Sequence, residues 1–338
     1  MDCFQFLAYQ NPSLNEFHAI VENIVAKEQI AYLGTLSKMT KADAGCGTGK
    51  QKINIPADEK FWEPEKVKVW ISECIDDIDA TFMIYLKNKG VKESDWTGTD
   101  IVDFIVKRVT EAMDEDILRI AWFNDKNAAN VDDSVPGVIT SGVSLTDYTI
   151  IDGFWKQIFA ICATTPARLV SVAKNAESTY ADQAFDSSDT SGKVVTGIFS
   201  DLLKKAGPRL KARADKIIIC TTSMAEQYLD ELEAAGVPAS FDMVQNGVSV
   251  LKRGGVTIYA FDFWDRTILA DFNSGTALYR PHRAILTTKQ NLQIGLDAMS
   301  SMSQWSMYYD EDDETNNIKA KYKIDAKIVV DHMIQAAY

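Results

Sequence analysis

The sequence predicts an α+β protein of elongated build, in which a compact mixed segment interrupts a frame of long strands and one long helix. Three observations carry that expectation. From Ile318 to Val330 the even positions Ile318, Ala320, Tyr322, Ile324, Ala326, Ile328 and Val330 are all apolar, and Lys319, Lys321, Lys323, Asp325, Lys327 and Val329 lie between them. Successive strand side chains point to opposite faces, so this reads as one strand with an apolar face on a core and a charged face in solvent. At about 3.3 Å per residue it spans roughly 43 Å, against about 17–20 Å for a common strand. Upstream, Ile101, Ile105, Val109, Ala112, Met113, Ile117 and Ile120 recur at steps of three and four, a single helical stripe. Thr99 is placed to cap it, Asp100 and Asp103 suit its first turn, and at about 1.5 Å rise it makes a rod of roughly 37 Å, close to the strand in length. Between the two, residues 140–290 alternate short helix and strand patterns, so the second domain is expected to be discontinuous.

Taken in order, residues 1–28 read as a polar lead and an amphipathic helix starting at Pro12 and Ser13, with Leu14, Phe17, Ile20, Val21, Ile24 and Val25 on one side. Residues 30–72 (IAYLGTL, KMTKADAGCGTGKQ, KINIP, FWEP, KVKVWIS) form two extended arms around a Gly- and Lys-rich tip. This predicts a projecting hairpin, and its low apolar content places its partner on another subunit. A helix over 73–90 ends at Gly90, and NDKNAANVDDSVPG after Phe123 is a loop. Asp152 caps a short helix holding Phe154, Trp155, Ile158, Phe159 and Cys162. Leu169–Ala173 is a strand, Val194–Ala206 a helix and Lys216–Cys220 a buried strand. Ser223 with Glu226 makes a capping box for a helix that Gly236 ends. VSVLKRGGVTIYAF is a hairpin turning at Gly254-Gly255, and TIL, TALYR, AILTT and WSMYY read as further strands.

Composition narrows the function. A 46% hydrophobic content over 338 residues supports a well-buried core, and no apolar run reaches the roughly 20 residues that cross a bilayer. The start, MDCFQFLAYQ, lacks the basic stretch of a signal peptide. Five cysteines, Cys3, Cys46, Cys74, Cys162 and Cys220, form no CxxC pair and read as free thiols of a reducing compartment. A formal charge of −13 opposes tight sequence-independent binding to nucleic acid, and the acid run Asp310–Glu314 reads as a solvated turn.

No motif carries catalysis. Gly45-Cys46-Gly47-Thr48-Gly49-Lys50 fails as a P-loop because Ala44 stands where Gly is needed and Gln51 where Ser or Thr is needed. It fails as a dinucleotide fingerprint because Lys50 replaces the third Gly. His18, His282 and His332 have no zinc-ligand spacing, Ser223 and Ser300 lack a nucleophile elbow, and the pairs Asp76-Asp77 and Asp132-Asp133 read as solvated charge. No cofactor, metal or enzymatic activity is expected. In FDFWDR, alternation places Phe261 and Phe263 with Tyr259 on one strand face, packing a core or a subunit contact.

The order of parts resembles the tailed-phage major capsid protein of the Hong Kong 97 fold, as do local strings similar to capsid proteins of phages of gut bacteria. These are FWEPEKVKVWISECIDDIDATF, ILRIAWFND, IDGFWKQI, IIICTTSMAEQYLDEL and TTKQNLQIGLD. The resemblance implies an N-terminal arm (1–30), an extended loop (31–72), a peripheral domain (73–144) with a spine helix over 99–123, an inserted axial domain (145–290) and return strands of the peripheral domain (291–338). It implies a non-enzymatic virion subunit, assembled in the bacterial cytoplasm as hexamers and pentamers into an icosahedral shell around double-stranded DNA. Portal and decoration proteins, weak non-specific DNA contact and no membrane would go with it. With 28 residues ahead of the hairpin, a separate scaffold or none is implied. Candidate intersubunit contacts are Lys38, Lys41 and Lys50 at the loop tip, Trp62, and Lys319, Lys321 and Lys323 on the strand's charged face. Two alternatives stand beside it: an encapsulin-like nanocompartment shell, and a hydrolase or transferase using residues 145–290.

Overall fold

A strand with one apolar face needs a second layer to cover it, and the computed structural model supplies one. It describes residues 14–24, 26–33, 57–74, 100–131, 137–237, 242–245, 248–297, 306–310 and 315–338. Helix α1 (Leu14–Phe17) leads into β1 (Ala19–Val21), β2 (Gln29–Leu33), β3 (Ala57–Phe61) and β4 (Glu65–Cys74). Next come α2 (Asp100–Phe123), α3 (Phe154–Thr164), β5 (Leu169–Val170), α4 (Tyr180–Gln183), α5 (Ser187–Gly192), α6 (Val194–Lys205) and α7 (Pro208–Lys211). The chain continues through β6 (Lys216–Cys220), α8 (Thr222–Ala234), β7 (Asp242–Gln245), β8 (Val248–Arg253), β9 (Val256–Phe261) and α9 (Asp262–Asp271). It closes with β10 (Ala284–Thr288), β11 (Leu292–Leu296), β12 (Ser306–Asp310), β13 (Thr315–Ile328) and β14 (Gln335–Ala337).

Strand β13, 14 residues long, organises a five-stranded sheet. Along one side it pairs antiparallel with β4, from Thr315↔Cys74 to Ile324↔Glu65. Its other side is shared by β12 at one end and β11 at the other, and β1 adds to β11 in parallel. All seven apolar even positions from Ile318 to Val330 are buried. Those on β13 from Ala320 to Ile328 share one core with Met113, Ile117 and Ile120 of α2. Each fully buried Ile contributes about 1.5–3 kcal/mol relative to exposure, which is why the period-two pattern dictates the register.

A seven-stranded sheet, ordered β5-β14-β10-β6-β9-β8-β7, forms the second layer system. Alternation along β6 and β10 divides its two faces. Ile218, Cys220, Ala284 and Leu286 pack with Val195, Phe199 and Leu202 of α6 and Met224 and Tyr228 of α8. Ile219 and Ile285 face the opposite core, with Trp122, Trp155, Phe261 and Trp264. Gly254 and Gly255, at φ +53° and +81°, make the tight β8–β9 turn, a conformation that glycine adopts without a Cβ clash.

Several expectations are corrected. The N-terminal helix stops at Phe17, because Ala19–Val21 gains a parallel ladder on Gln293–Gly295. The segment KVKVWIS finds its partner within its own chain, on β13. Residues 262–271, expected as strand through FDFWDR and TIL, form helix α9, whose Phe263, Trp264 and Ile268 are buried. TALYR contributes only an isolated bridge, Asn273↔Leu278, and the strand at Leu169 ends at Val170, before a short 3-10 turn from Ala173.

Two caps also differ. Gly153 is the N-cap of α3, and Asp152 instead accepts from Lys126 N at 3.1 Å. Thr221 is the N-cap of α8, which frees the Ser223 hydroxyl for His282 Nδ1 at 2.8 Å. Ala112, placed on the apolar stripe, is exposed. The C-terminal segment contributes β14 to the seven-stranded sheet as well as β13 to the other. The helix expected over 73–90 does not start at 73, because Glu73 and Cys74 pair with Asn316 and Thr315 at the end of β4; its remainder, the loop tip, Thr99, Asp132-Asp133 and the acids at 311–314 lie outside the described residues.

Candidate assembly surface

The face of the five-stranded sheet opposite the core is built from odd positions of β13 and the residues that oppose them. The register sets Lys323 across from Lys66, Lys321 from Lys68 and Lys319 from Trp70. Three candidate residues, Lys319, Lys321 and Lys323, therefore stand in one row, and β4 adds a second row. Lys66, Lys68 and Lys321 are exposed, and Lys319 and Lys323 half-buried.

Trp70 lies among these lysines with 56% of its surface exposed. Lys68 Nζ sits 3.5 Å from its ring centroid and Lys319 Nζ 5.2 Å, while its indole N–H donates to Asn317 Oδ1 at 3.1 Å. Cations over the indole face gain from the ring quadrupole. Desolvation, then the charges of Lys319 and Lys321, hold the Lys68 ammonium below the usual lysine range. Tyr308 of β12, opposite Asn317, is 38% exposed on the same face.

The far end of the face is closed. Trp62, expected at a subunit contact, is 4% exposed within its own chain. A Cβ at Gly295 would come within 2.9 Å of its Cζ3 and 3.2 Å of Ile24 Cγ1, so the indole fills the space that the missing side chain leaves. Asp325, assigned to solvent by alternation, is 1% exposed. It accepts from Glu63 N at 2.6 Å and Ala326 N at 2.8 Å, and Lys327 lies 3.4 Å away; burial nevertheless leaves its carboxyl above the usual range. Here charges are matched: Lys27 with Glu63 at 3.0 Å and Lys126 with Glu65 at 2.9 Å. Lys38, Lys41 and Lys50 lie outside the described residues.

Sequence reasoning missed Lys66, Lys68 and Trp70 as surface residues because it assigned KVKVWIS to a projecting arm. The signal was present: Val67, Val69 and Ile71 alternate with them in the same period that identified β13.

A cavity of about 450 Å³ elsewhere is lined in part by Ser223, His282, Phe185 and Asp265. His282 Nε2–H donates to Gln183 O at 2.8 Å, so Nδ1 accepts the Ser223 hydroxyl. The group that orients this imidazole is a carbonyl, where nucleophilic triads use a carboxylate. The pair ties the start of α8 to the segment before β10. Among the described residues no cluster of three or more His, Cys, Asp or Glu could hold a metal, and no helix is long and apolar enough to cross a membrane. Cys162 and Cys220 are free and buried.

No protein-family model matches the chain, and no curated relative does. Solved structures match it over nearly its whole length. A chain of the satellite phage P4 procapsid that includes the size determination (Sid) protein is similar at TM-score 0.52 and 12% identity, covering 94% of this chain and 92% of that one. It has the fold of a phage capsid protein. The capsid of cyanophage P-SCSP1u gives TM-score 0.52 at 11% identity, covering 100% of this chain and 92% of that one. A chain of Mycobacterium phage Bobi gives 0.51 at 11% identity, covering 100% and 94%.

Proposed function

We propose that the chain is the major capsid protein of a tailed phage, with the Hong Kong 97 arrangement, and that it assembles into a closed icosahedral shell around double-stranded DNA. The observation that carries this reading is coverage. The likeness to phage capsid chains spans 94–100% of this chain and 92–94% of theirs, so neither partner leaves a large part unexplained. In this reading α2 is the spine helix, the five-stranded sheet belongs to the peripheral domain and most of the seven-stranded sheet to the axial domain. Residues 31–72 bear the extended loop, with its descending arm continuing into β4. Lys319, Lys321 and Lys323, with Lys38, Lys41 and Lys50, contact neighbouring subunits. Further copies of the chain in hexamers and pentamers, a portal and decoration proteins are the partners, and the subunit is not an enzyme. It is made and assembled in the host cytoplasm and ends in the virion.

A subunit of −13 suits a wall that must not grip a packed genome, since binding along phosphates is driven by cations. Electron microscopy of the purified chain tests the reading: hollow icosahedral particles, tubes or capsomer rings are expected. A small shell filled with a protein cargo would favour the nanocompartment alternative, and a monomer turning over an ester or phosphate substrate would favour the enzyme.

A further inference from the structure

On the shell reading above, we propose that the open part of the sheet face, centred on Lys68, Trp70 and Lys321, seats a carboxylate-rich surface of a second copy of this chain. The register is the first argument. Lys321 lies directly across from Lys68 and Lys323 from Lys66, and like charges at opposed positions destabilise a sheet. Such rows cost the isolated subunit stability, and an acidic partner converts that cost into attraction.

The second argument is where pairing within the chain stops. At the Trp62 end, Glu63, Glu65 and Asp325 each have a lysine: Lys27, Lys126 and Lys327. Along the open part, Lys66, Lys68, Lys319 and Lys321 have no ion pair among the described residues. Among the described residues, the lysines without an ion pair on this face are thus grouped on its open part.

The third is chemical character. Trp70 and Tyr308 offer large rigid rings at 56% and 38% exposure amid the lysines, and Trp and Tyr are the anchors that dominate interface energies. The complementary charge is supplied by the chain itself: 48 acids against 35 basic residues make the rest of every copy acidic. The same acidity makes a nucleic acid the poorer occupant, because a −13 body repels the polyanion around so small a basic strip.

The experiment uses assembled particles made from isotopically heavy and light full-length chains, joined with a zero-length carbodiimide. Heavy–light cross-links from Lys68 or Lys321 to an Asp or Glu are expected; cross-links at these lysines only within one chain would overturn the proposal. In parallel, the Lys68→Glu/Lys321→Glu double variant should keep the melting temperature of the dissociated subunit close to wild type, since it exchanges one opposed like-charge pair for another and sets opposite charges diagonally beside Lys66, Lys319 and Lys323. It should raise the protein concentration needed for assembly by about ten-fold or more, as loss of one favourable contact per subunit would. Wild-type assembly should weaken from about 0.1 M to about 1 M salt, where the screening length falls from about 10 Å to about 3 Å. A double variant that assembles at the wild-type threshold overturns the proposal, and one that does so while losing affinity for duplex DNA makes the face a nucleic-acid contact instead. Failure of the wild-type chain to assemble at all would sink the shell reading, and this proposal with it.

Discussion

The indole N–H of Trp122, at the end of α2, donates to Nε2 of His18 at 3.0 Å, while His18 Nδ1–H donates to Leu14 O at 3.0 Å. Both ring nitrogens are committed, and the imidazole is stacked on Phe154 and fully buried. His18 is therefore held neutral, in one tautomer, as the pin between the N-terminal segment and the long helix.

This pin makes the fold acid-sensitive. Burial, opposed by the Leu14 hydrogen bond and helped by Lys289, lowers the His18 pKa from 6.5 to about 4. A depressed folded-state pKa means stability fully present above about pH 6.5 and lost as pH falls towards about 4, by about 3 kcal/mol at the lower end. Denaturant unfolding of wild type and His18→Gln across that window checks it. The variant should be less stable at pH 7, and the gap between the two curves should narrow on acidification.

Strand β13 depends on its even face. Ile324 is 0% exposed between Leu296 and Glu65 in the ladder. Ile324→Ala should lose about 2–5 kcal/mol, and Ile324→Asp should give no folded protein, since the carboxylate would lie in the core without a partner. Circular dichroism melts of the purified variants read this directly.

The contact of Trp62 with Gly295 should show overpacking. Gly295→Ala would place a methyl 2.9 Å from the Trp62 ring and 3.2 Å from Ile24 Cγ1. A loss of about 1–3 kcal/mol is expected, and with Trp62→Leu in the same chain the combined loss should fall short of the sum, a coupling read by a double-mutant cycle.

Helix α6 is capped from a distance. Its N-cap, Lys193, has φ +54° and no side-chain cap, and the buried Glu231 of α8 accepts from Val195 N at 2.8 Å and Thr196 N at 2.7 Å. A carboxylate there satisfies orphan donors and meets the positive end of the helix. Glu231→Ala should cost about 3 kcal/mol, and Glu231→Gln less, because an amide oxygen still accepts; thermal unfolding of both variants decides.

What the sequence made legible follows from locality. The alternation of β13, the Met113–Ile120 stripe of α2, the buried β6 and the Gly254-Gly255 turn each depend on a repeat or a turn that one segment carries alone. What it hid is set by distant partners. Ala19–Val21 leaves its helical pattern for a ladder nearly three hundred residues away, and KVKVWIS reads as an arm until β13 is placed beside it. Phe261, Phe263 and Trp264 fit a strand or a helix equally, and the core they enter selects the helix after Phe261. Asp325 keeps the strand's alternation yet is buried, because the Glu63 segment folds over it. On the candidate surface, one row of lysines was visible and the opposing row with Trp70 was not.

Sedimentation velocity of the purified full-length chain, over a wide range of protein concentration and salt, tests assembly most directly. A boundary of closed particles many tens of subunits in mass is expected, growing with concentration and weakening with salt. A single species of one-chain mass under every condition would contradict it.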